Sequence, residues 1–330
     1  MKPKPETNDT IRAFVQGAYD LQNLRISAGN RLAANFRTKL GIPPNTKEAD
    51  ADKEVVKILD TIRASYRKLT DGLKMEIPSA RAFKGDEIIS DYGELCLVNL
   101  YIKVEKDEDS HFRRLKALLD DIPIWSNYLK TLPGCGPAMA GVMISELDPH
   151  KARHASSFWK YAGLDVAKYY LATKDGKKDV GISIVDLEAI TEHEANGWTL
   201  TESWSGRSRR AEHLIIKEYL DKDKKPATRK AITFNPWLKT KLYVLAGCLI
   251  KQGGTYKDIY DGYKHRLENR PDWADKTKGH RHNAAMRYMI KMFLADLWAF
   301  WRNLEGLPVS EPYAVAKLGL RPHGQDEHAA

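Results

Sequence analysis

The stretch TLPGCGPAMAGVMISEL, Thr131 to Leu147, sets a proline and two glycines directly before an apolar segment that opens Pro137-Ala-Met-Ala-Gly. Upstream, the residues from His111 to Thr131 have helical spacing. The stretch therefore predicts a helix, a turn of form Leu-Pro-Gly-x-Gly and a second helix: a helix-hairpin-helix. Two readings of the turn stand. Gly134 and Gly136 permit positive φ and carry no side chain, so amides at the second helix's start can approach a phosphate oxygen closely. The same glycines equally let two helices pack in a tight αα-hairpin, with Ala138, Ala140 and Gly141 as the contact face.

Outward from this hairpin, helical periodicity dominates the first part of the chain. Segments at about 9–39, 51–72, 86–106 and 111–130 place apolar residues three and four apart, as in Ile11, Phe14, Val15, Ala18 and Tyr19, or Val55, Val56, Ile58, Leu59 and Ile62. Gly41-Ile-Pro-Pro-Asn and Ile77-Pro-Ser break the pattern with turn chemistry. Asp86, Glu87 and Asp91 read as a solvated helix start. Beyond the hairpin the texture changes. From Tyr169 to Trp204, β-type residues alternate with polar turns and predict a β-hairpin or small sheet. Helices resume at about 208–222, 237–251 and 282–304. The last carries Met286, Ile290, Phe293, Leu294, Leu297 and Trp301 on one face as core.

The 330 residues are 42% hydrophobic and 29% charged, enough apolar material for one large or two ordinary domains. No run of about twenty apolar residues is present, and the start MKPKPETNDT has charges where a signal peptide needs an apolar core. An intracellular, cytoplasmic protein with no membrane partner is the expectation. The three cysteines, Cys96, Cys135 and Cys248, are odd in number and far apart, so they predict buried thiols rather than disulfides or a metal site. A net charge of +9 favours an anionic partner.

Three further stretches concentrate cations. In SWSGRSRRAEHL, Arg207, Arg209 and Arg210 cluster beside Trp204, Ser205 and Ser208. Guanidinium forks and hydroxyls suit phosphate oxygens, and the indole suits a base. At the start of the last helix, KTKGHRHN brings Lys278, His280, Arg281 and His282 together, with Arg287 and Lys291 farther along. The two histidines lack carboxylate or cysteine companions at ligand spacing, so phosphate contact is preferred to a metal. In FNPWLKTKLYVLAGCLIKQGG, Pro236 marks a helix start and Lys239 and Lys241 add attraction. Gly247, in mid-helix, predicts close packing of another backbone against it.

LPGCGPAMAGVMISEL followed by SSFWKYAGLDV resembles the C-terminal domain of the bridge-RNA-guided insertion-sequence transposases, with their Pro-Gly-x-Gly-Pro hairpin and Tyr-Ala-Gly-Leu signature. KGHRHNAAMRYMIKMFLADLW is similar to that domain's last helix. Long helices followed by a glycine-rich hairpin and a Pro-Trp-Leu-Lys-x-Lys helix also resemble the Nop domain of box C/D guide ribonucleoproteins, and thereby the TIGR-associated Tas proteins, over roughly residues 85–310. The resemblance implies a mainly α fold. A long helical coiled-coil region, 1–130, would precede an α-helical Nop- or transposase-like domain, 131–330, with the helix-hairpin-helix and a small β insertion at about 166–204.

The transposases resembled carry a RuvC-like domain whose clustered carboxylates hold a metal pair; this chain opens on helices, and the expectation is a protein without its own nuclease and without a cofactor. The resemblance then implies a guide-RNA-binding protein of an RNA-guided DNA-targeting system. Its partners would be a structured guide RNA, target DNA recognised through the guide, a second copy of the chain through the long helices, and, as an open question, a separate nuclease. Two alternatives remain. One is a serine-dependent transposase or recombinase in which Ser205, or Ser208 as second choice, attacks a DNA phosphorus while arginines stabilise the developing charge. The other is a helix-hairpin-helix protein that binds DNA alone.

Overall fold

Three long helices build the first part of the chain because their apolar stripes meet one another. In the computed structural model, which describes residues 5–42, 48–70, 76–173, 182–184, 199–205 and 214–310, these are α1 (Pro5–Lys39), α2 (Glu48–Leu69) and α3 (Tyr92–Asp120). Leu32, Ala33 and Phe36 of α1, Ile58, Leu59, Ile62 and Tyr66 of α2, and Leu95, Val98, Tyr101 and Ile102 of α3 form one core, closed by Ile89 from the preceding loop. Each large apolar side chain so buried stabilises the fold by about 1.5–3 kcal/mol. The long helices thus cover their stripes within one three-helix core, where an extended coiled coil was expected. Val56, expected to be apolar core, faces solvent instead.

The helix expected over 86–106 starts later, because Asp86 does something other than solvate a helix end. Its carboxylate accepts the Ile88 and Ile89 N–H groups at 2.9 and 2.7 Å and the Ser65 hydroxyl at 2.7 Å, which holds a turn. Capping falls instead to Asp91, which accepts the Glu94 N–H at 2.9 Å, while the Glu94 carboxylate accepts the Ser90 N–H at 2.8 Å. From there α3 runs unbroken to Asp120, merging two segments predicted separately.

The chain divides into two compact units between Leu119 and Asp120. In the second unit the expected helix of 111–130 is interrupted. Pro123 opens the short α4 (Pro123–Asn127), and a 3-10 turn over Leu129–Thr131 leads to the glycine turn and α5 (Pro137–Glu146). The first arm of the hairpin is therefore a succession of short turns rather than one continuous helix. α6 (Ala155–Tyr161) follows, then a three-stranded antiparallel sheet of β1 (Ala167–Thr173), β2 (Ile182–Ile184) and β3 (Thr199–Ser205) in the order β2-β1-β3. A small sheet is present here, as predicted.

Residues 215–220, expected to be helical, are instead β4 (Ile215–Leu220), paired with β5 (Pro226–Ala231) as a two-stranded ribbon. Three helices complete the unit: α7 (Pro236–Gln252), α8 (Thr255–Glu268) and α9 (Lys278–Leu304). α9 is the central element. Every apolar residue assigned to its core face is buried, together with Met289 and Trp298. Its far end is fastened by Trp298 Nε1, which donates to the Ala152 carbonyl at 2.7 Å, and by buried Arg302, which donates to the Pro149 and Ala152 carbonyls at 2.6 and 3.0 Å. Among the described residues no helix is long and apolar enough to cross a membrane.

Candidate nucleic-acid interface

The two hairpin glycines have different tasks. Gly134 sits at φ +92°, and a methyl group there would lie 3.0 Å from the Cys248 carbonyl oxygen of α7. This glycine lets two segments pack. Gly136 is extended, exposed and meets nothing within 4 Å; it is the N-cap of α5 and supplies no side-chain cap. Because Pro137 has no N–H, the amides of Ala138 and Met139 are the donors left at the helix start. The packing reading thus holds at Gly134, while Gly136 leaves the start of α5 open. Gly247, expected to receive a neighbouring backbone, meets open space; the close approach occurs one residue on, at Cys248.

A partly buried chain of polar groups links the end of α4 to α8 and α9. The hydroxyls of Tyr128 and Tyr256 are 2.8 Å apart, and Tyr256 donates to Asp296 at 3.0 Å. Burial pushes the Tyr128 hydroxyl up to about 12 and raises Tyr256 further. Desolvation also raises Asp296, outweighing the bond from Tyr256 that lowers it. Cys135, in the turn, is a buried thiol pushed up to about 12 by the same cause. These groups are structural rather than nucleophilic at neutral pH.

The Tyr161-Ala-Gly-Leu164 signature is likewise a packing device. Gly163 adopts φ +65° against the Phe234 ring, where an added methyl would come within 2.4 Å of a ring carbon. Ala162 and Leu164 are fully buried. Asn235 then joins three elements: its N–H donates to the Tyr161 carbonyl at 2.8 Å, its side-chain amide to Glu146 at 2.7 Å, and its side-chain oxygen caps α7 by accepting the Leu238 N–H at 3.0 Å.

The cations of the last three helices show which are committed to the fold. Lys291 lies over the Trp159 ring at 4.3 Å and pairs with Asp165 at 3.0 Å, so its charge is already balanced. Lys239 lies over Phe234 at 5.0 Å and Lys241 over Trp237 at 5.9 Å, with burial lowering the Lys241 ammonium. Arg281 donates to the Lys276 carbonyl at 2.6 Å. Thr277 caps α9 by accepting the His280 N–H, and His282 Nδ1 is 2.7 Å from the Tyr260 hydroxyl. Lys278 is exposed and Arg287 half-buried.

Helix α8 adds what the sequence reading missed. Tyr263 stacks on Tyr288 of α9 with centroids 4.1 Å apart, and the Arg266 guanidinium lies 5.2 and 6.0 Å from the two rings. Lys264 lies over Tyr260 at 5.8 Å. Tyr263-x-x-Arg266 and Tyr260-x-x-x-Lys264 are helical neighbours, so aromatic–cation spacing is the signal that could have found them. With His282 against Tyr260 and Tyr288 against Tyr263, they make an aromatic edge along α8 and α9 that carries Lys264 and the exposed Arg266. Stacked rings and guanidinium planes of this kind suit nucleobases as well as phosphates.

Trp204 and Ser205 end β3, where their backbones register against Lys168 and Ala167 of β1. Arg207, Ser208, Arg209 and Arg210 lie outside the described residues.

With this arrangement in view, the comparisons fall on one region. Residues 126–179 match the family described as Transposase IS116/IS110/IS902 family. The match runs from α4 through the glycine turn, α5, α6 and β1, and contains both stretches that carry the transposase resemblance. No curated protein and no solved structure matches the chain. The transposase-related segment thus covers the glycine turn, the Tyr161–Leu164 signature and β1.

Proposed function

We propose that the unit from Asp120 onward is a transposase-related nucleic-acid-binding module, and that the nucleic acid it holds is a structured guide RNA through which DNA is recognised. The transposase match at 126–179 carries the nucleic-acid reading. The α8–α9 edge supports RNA in particular, because stacked tyrosines under a guanidinium favour unpaired bases over a closed duplex. The open start of α5 at Gly136 adds donors for a phosphate. In this reading the protein grips shape and backbone, and base pairing supplies sequence selectivity. A second copy of the chain and a separate nuclease belong to the same proposal.

The test is purification from the native host followed by RNase or DNase digestion of whatever nucleic acid co-elutes. A uniform small RNA is expected. Recovery of none from a host transcribing the locus overturns the guide assignment.

The same match also favours a second reading, in which the chain takes part in strand exchange. Ser205 ends a strand paired with β1, itself inside the matched residues. Its Oγ would bond to a DNA phosphorus as one deoxyribose oxygen leaves that phosphorus and takes up the serine's proton, with Arg207, Arg209 and Arg210 balancing the developing charge. Loss of strand exchange in Ser205→Ala, with binding retained, would establish this reading over the first.

A further inference from the structure

The β4–β5 ribbon is built against its own stability. Antiparallel pairing sets Lys217 directly opposite Arg229, and Tyr219 opposite Ala227, on one face. Like charges in that position repel. Among the described residues neither Lys217, Arg229 nor Lys230 makes an ion pair that would relieve the repulsion. Arg229 instead lies 5.3 Å from the centroid of the Tyr219 ring. At the base of the ribbon Ile215 is buried at 1% exposure, whereas toward the tip Tyr219 and Leu220 reach 42% and 66%.

The turn repeats the pattern. Asp221 folds it, its carboxylate accepting the Asp223 and Lys225 N–H groups at 2.9 and 2.8 Å. Lys224 takes φ 59°, a left-handed conformation that normally favours glycine or asparagine. A strained position is thus filled by a cation, between Asp223 and Lys225. Lys217, Arg229 and Lys230 also line one open cleft of about 530 Å³ at the ribbon.

A solvent-facing two-stranded ribbon is marginal by itself, and in this one Lys217, Lys222, Lys224, Lys225, Arg229 and Lys230 outnumber Glu218, Asp221 and Asp223. A polyanion resolves the conflict. The shape then selects among polyanions. Strands about 4.8 Å apart with side chains on both faces match the B-DNA major groove, about 12 Å wide, while the A-form RNA groove is too deep and narrow. We propose that the β4–β5 ribbon is a direct docking element for double-stranded DNA, inserted in the major groove with Lys217 and Arg229 on phosphates or base edges. This goes beyond the RNA-holding edge of α8 and α9, since it gives the protein a contact to DNA that does not pass through a guide.

The experiment uses the full chain freed of nucleic acid, with a labelled 20-base-pair DNA duplex, an RNA duplex and a single-stranded RNA as probes over a salt series. The informative variant is Lys217→Glu, because it places a carboxylate opposite Arg229 and should stabilise the ribbon while removing its charge. Lys217→Ala/Arg229→Ala is the companion. In Lys217→Glu, DNA-duplex affinity should fall tenfold or more near 0.1 M salt with no drop in melting temperature. In the double alanine variant the salt slope should shrink by about two. Both RNA probes should stay within about twofold. Unchanged DNA affinity and slope, or an equal loss on RNA, overturns the proposal. Absence of a co-purifying RNA would leave this result untouched, so the two proposals fail separately.

Discussion

Cations that lie near aromatic rings are used differently in the two units. In the helical unit cations meet acids: Arg25 pairs with buried Glu108, Arg37 with Glu54, Lys39 with Glu94 at 2.7 Å and Arg63 with Glu105 at 2.6 Å. Lys39 and Arg63 also lie near rings, but each is neutralised first. In the second unit Lys264 and Arg266 lie over tyrosines and Arg229 over Tyr219. Paired cations occur in the second unit too, Lys291 with Asp165, Lys130 with Asp120, Lys257 with Asp261 and Arg270 with Asp272, so the contrast lies in the cations that meet a ring without an acid. Paired cations hold helices together; cations over aromatic rings remain electrostatically open to an anion, which is why the second unit carries the proposed interface.

The largest effect should come from breaking a pair in the first unit. Glu108 is 5% exposed and accepts from both Arg25 and Gln22. Glu108→Gln leaves the guanidinium without its counter-charge and should lower urea-unfolding stability by about 2–3 kcal/mol, below the fully buried range because Arg25 is partly solvated. RNA retention should be unchanged. A loss below about 0.5 kcal/mol would break the comparison from this side.

Removing a ring-bound cation should do the reverse. Arg266→Ala should cost about 1–2 kcal/mol in RNA affinity, roughly five- to thirtyfold, while stability shifts by no more than about 0.5 kcal/mol. Binding isotherms and thermal melts on one preparation separate the two. If the melt moves and the isotherm does not, the Tyr263–Tyr288 stack is packing alone.

The smallest effect concerns acid. Although burial raises Asp86, hydrogen bonds from Ser65, Ile89 and Ile88 and the charge of Lys68 outweigh it, leaving the carboxyl below its ordinary value. Its contribution is complete above the unfolded-state pKa near 4 and is lost as pH falls through the lower folded value. Asp296 has the opposite sign. With its folded pKa raised by desolvation, the folded state binds the proton more readily, so its contribution grows as pH falls through that raised value toward about 4. Residue-resolved NMR titration of the two carboxyls should show midpoints on opposite sides of the ordinary value; midpoints on the same side would remove the contrast.

Much of the helical framework was legible because burial repeats at helical spacing. Ile11, Val15 and Ala18, or Met286, Ile290, Phe293 and Leu297, state both an element and its inward face. Helix α8 escaped because its buried stripe is Tyr256, Tyr260 and Leu267, two of them residues with polar tips that also suit a surface. β4 was misread because IIKEYL fits a short helix as well as a strand; pairing with PATRKA across a lysine turn decides it, and that is a tertiary fact. The division of labour between Gly134 and Gly136 was also out of reach, since it depends on a carbonyl at Cys248, more than a hundred residues away. Among the candidate cations, the sequence could not tell that Lys291 was already engaged by Asp165.

The fit of Gly163 beneath the Phe234 ring bears on inheritance. Since this tetrapeptide joins the start of one helix to the ends of two others and touches no proposed ligand, selection can preserve it in descendants that have exchanged one chemistry for another. Two chains sharing Tyr-Ala-Gly-Leu would then share a scaffold by ancestry, and their reactions would have to be sought in the sequences that differ.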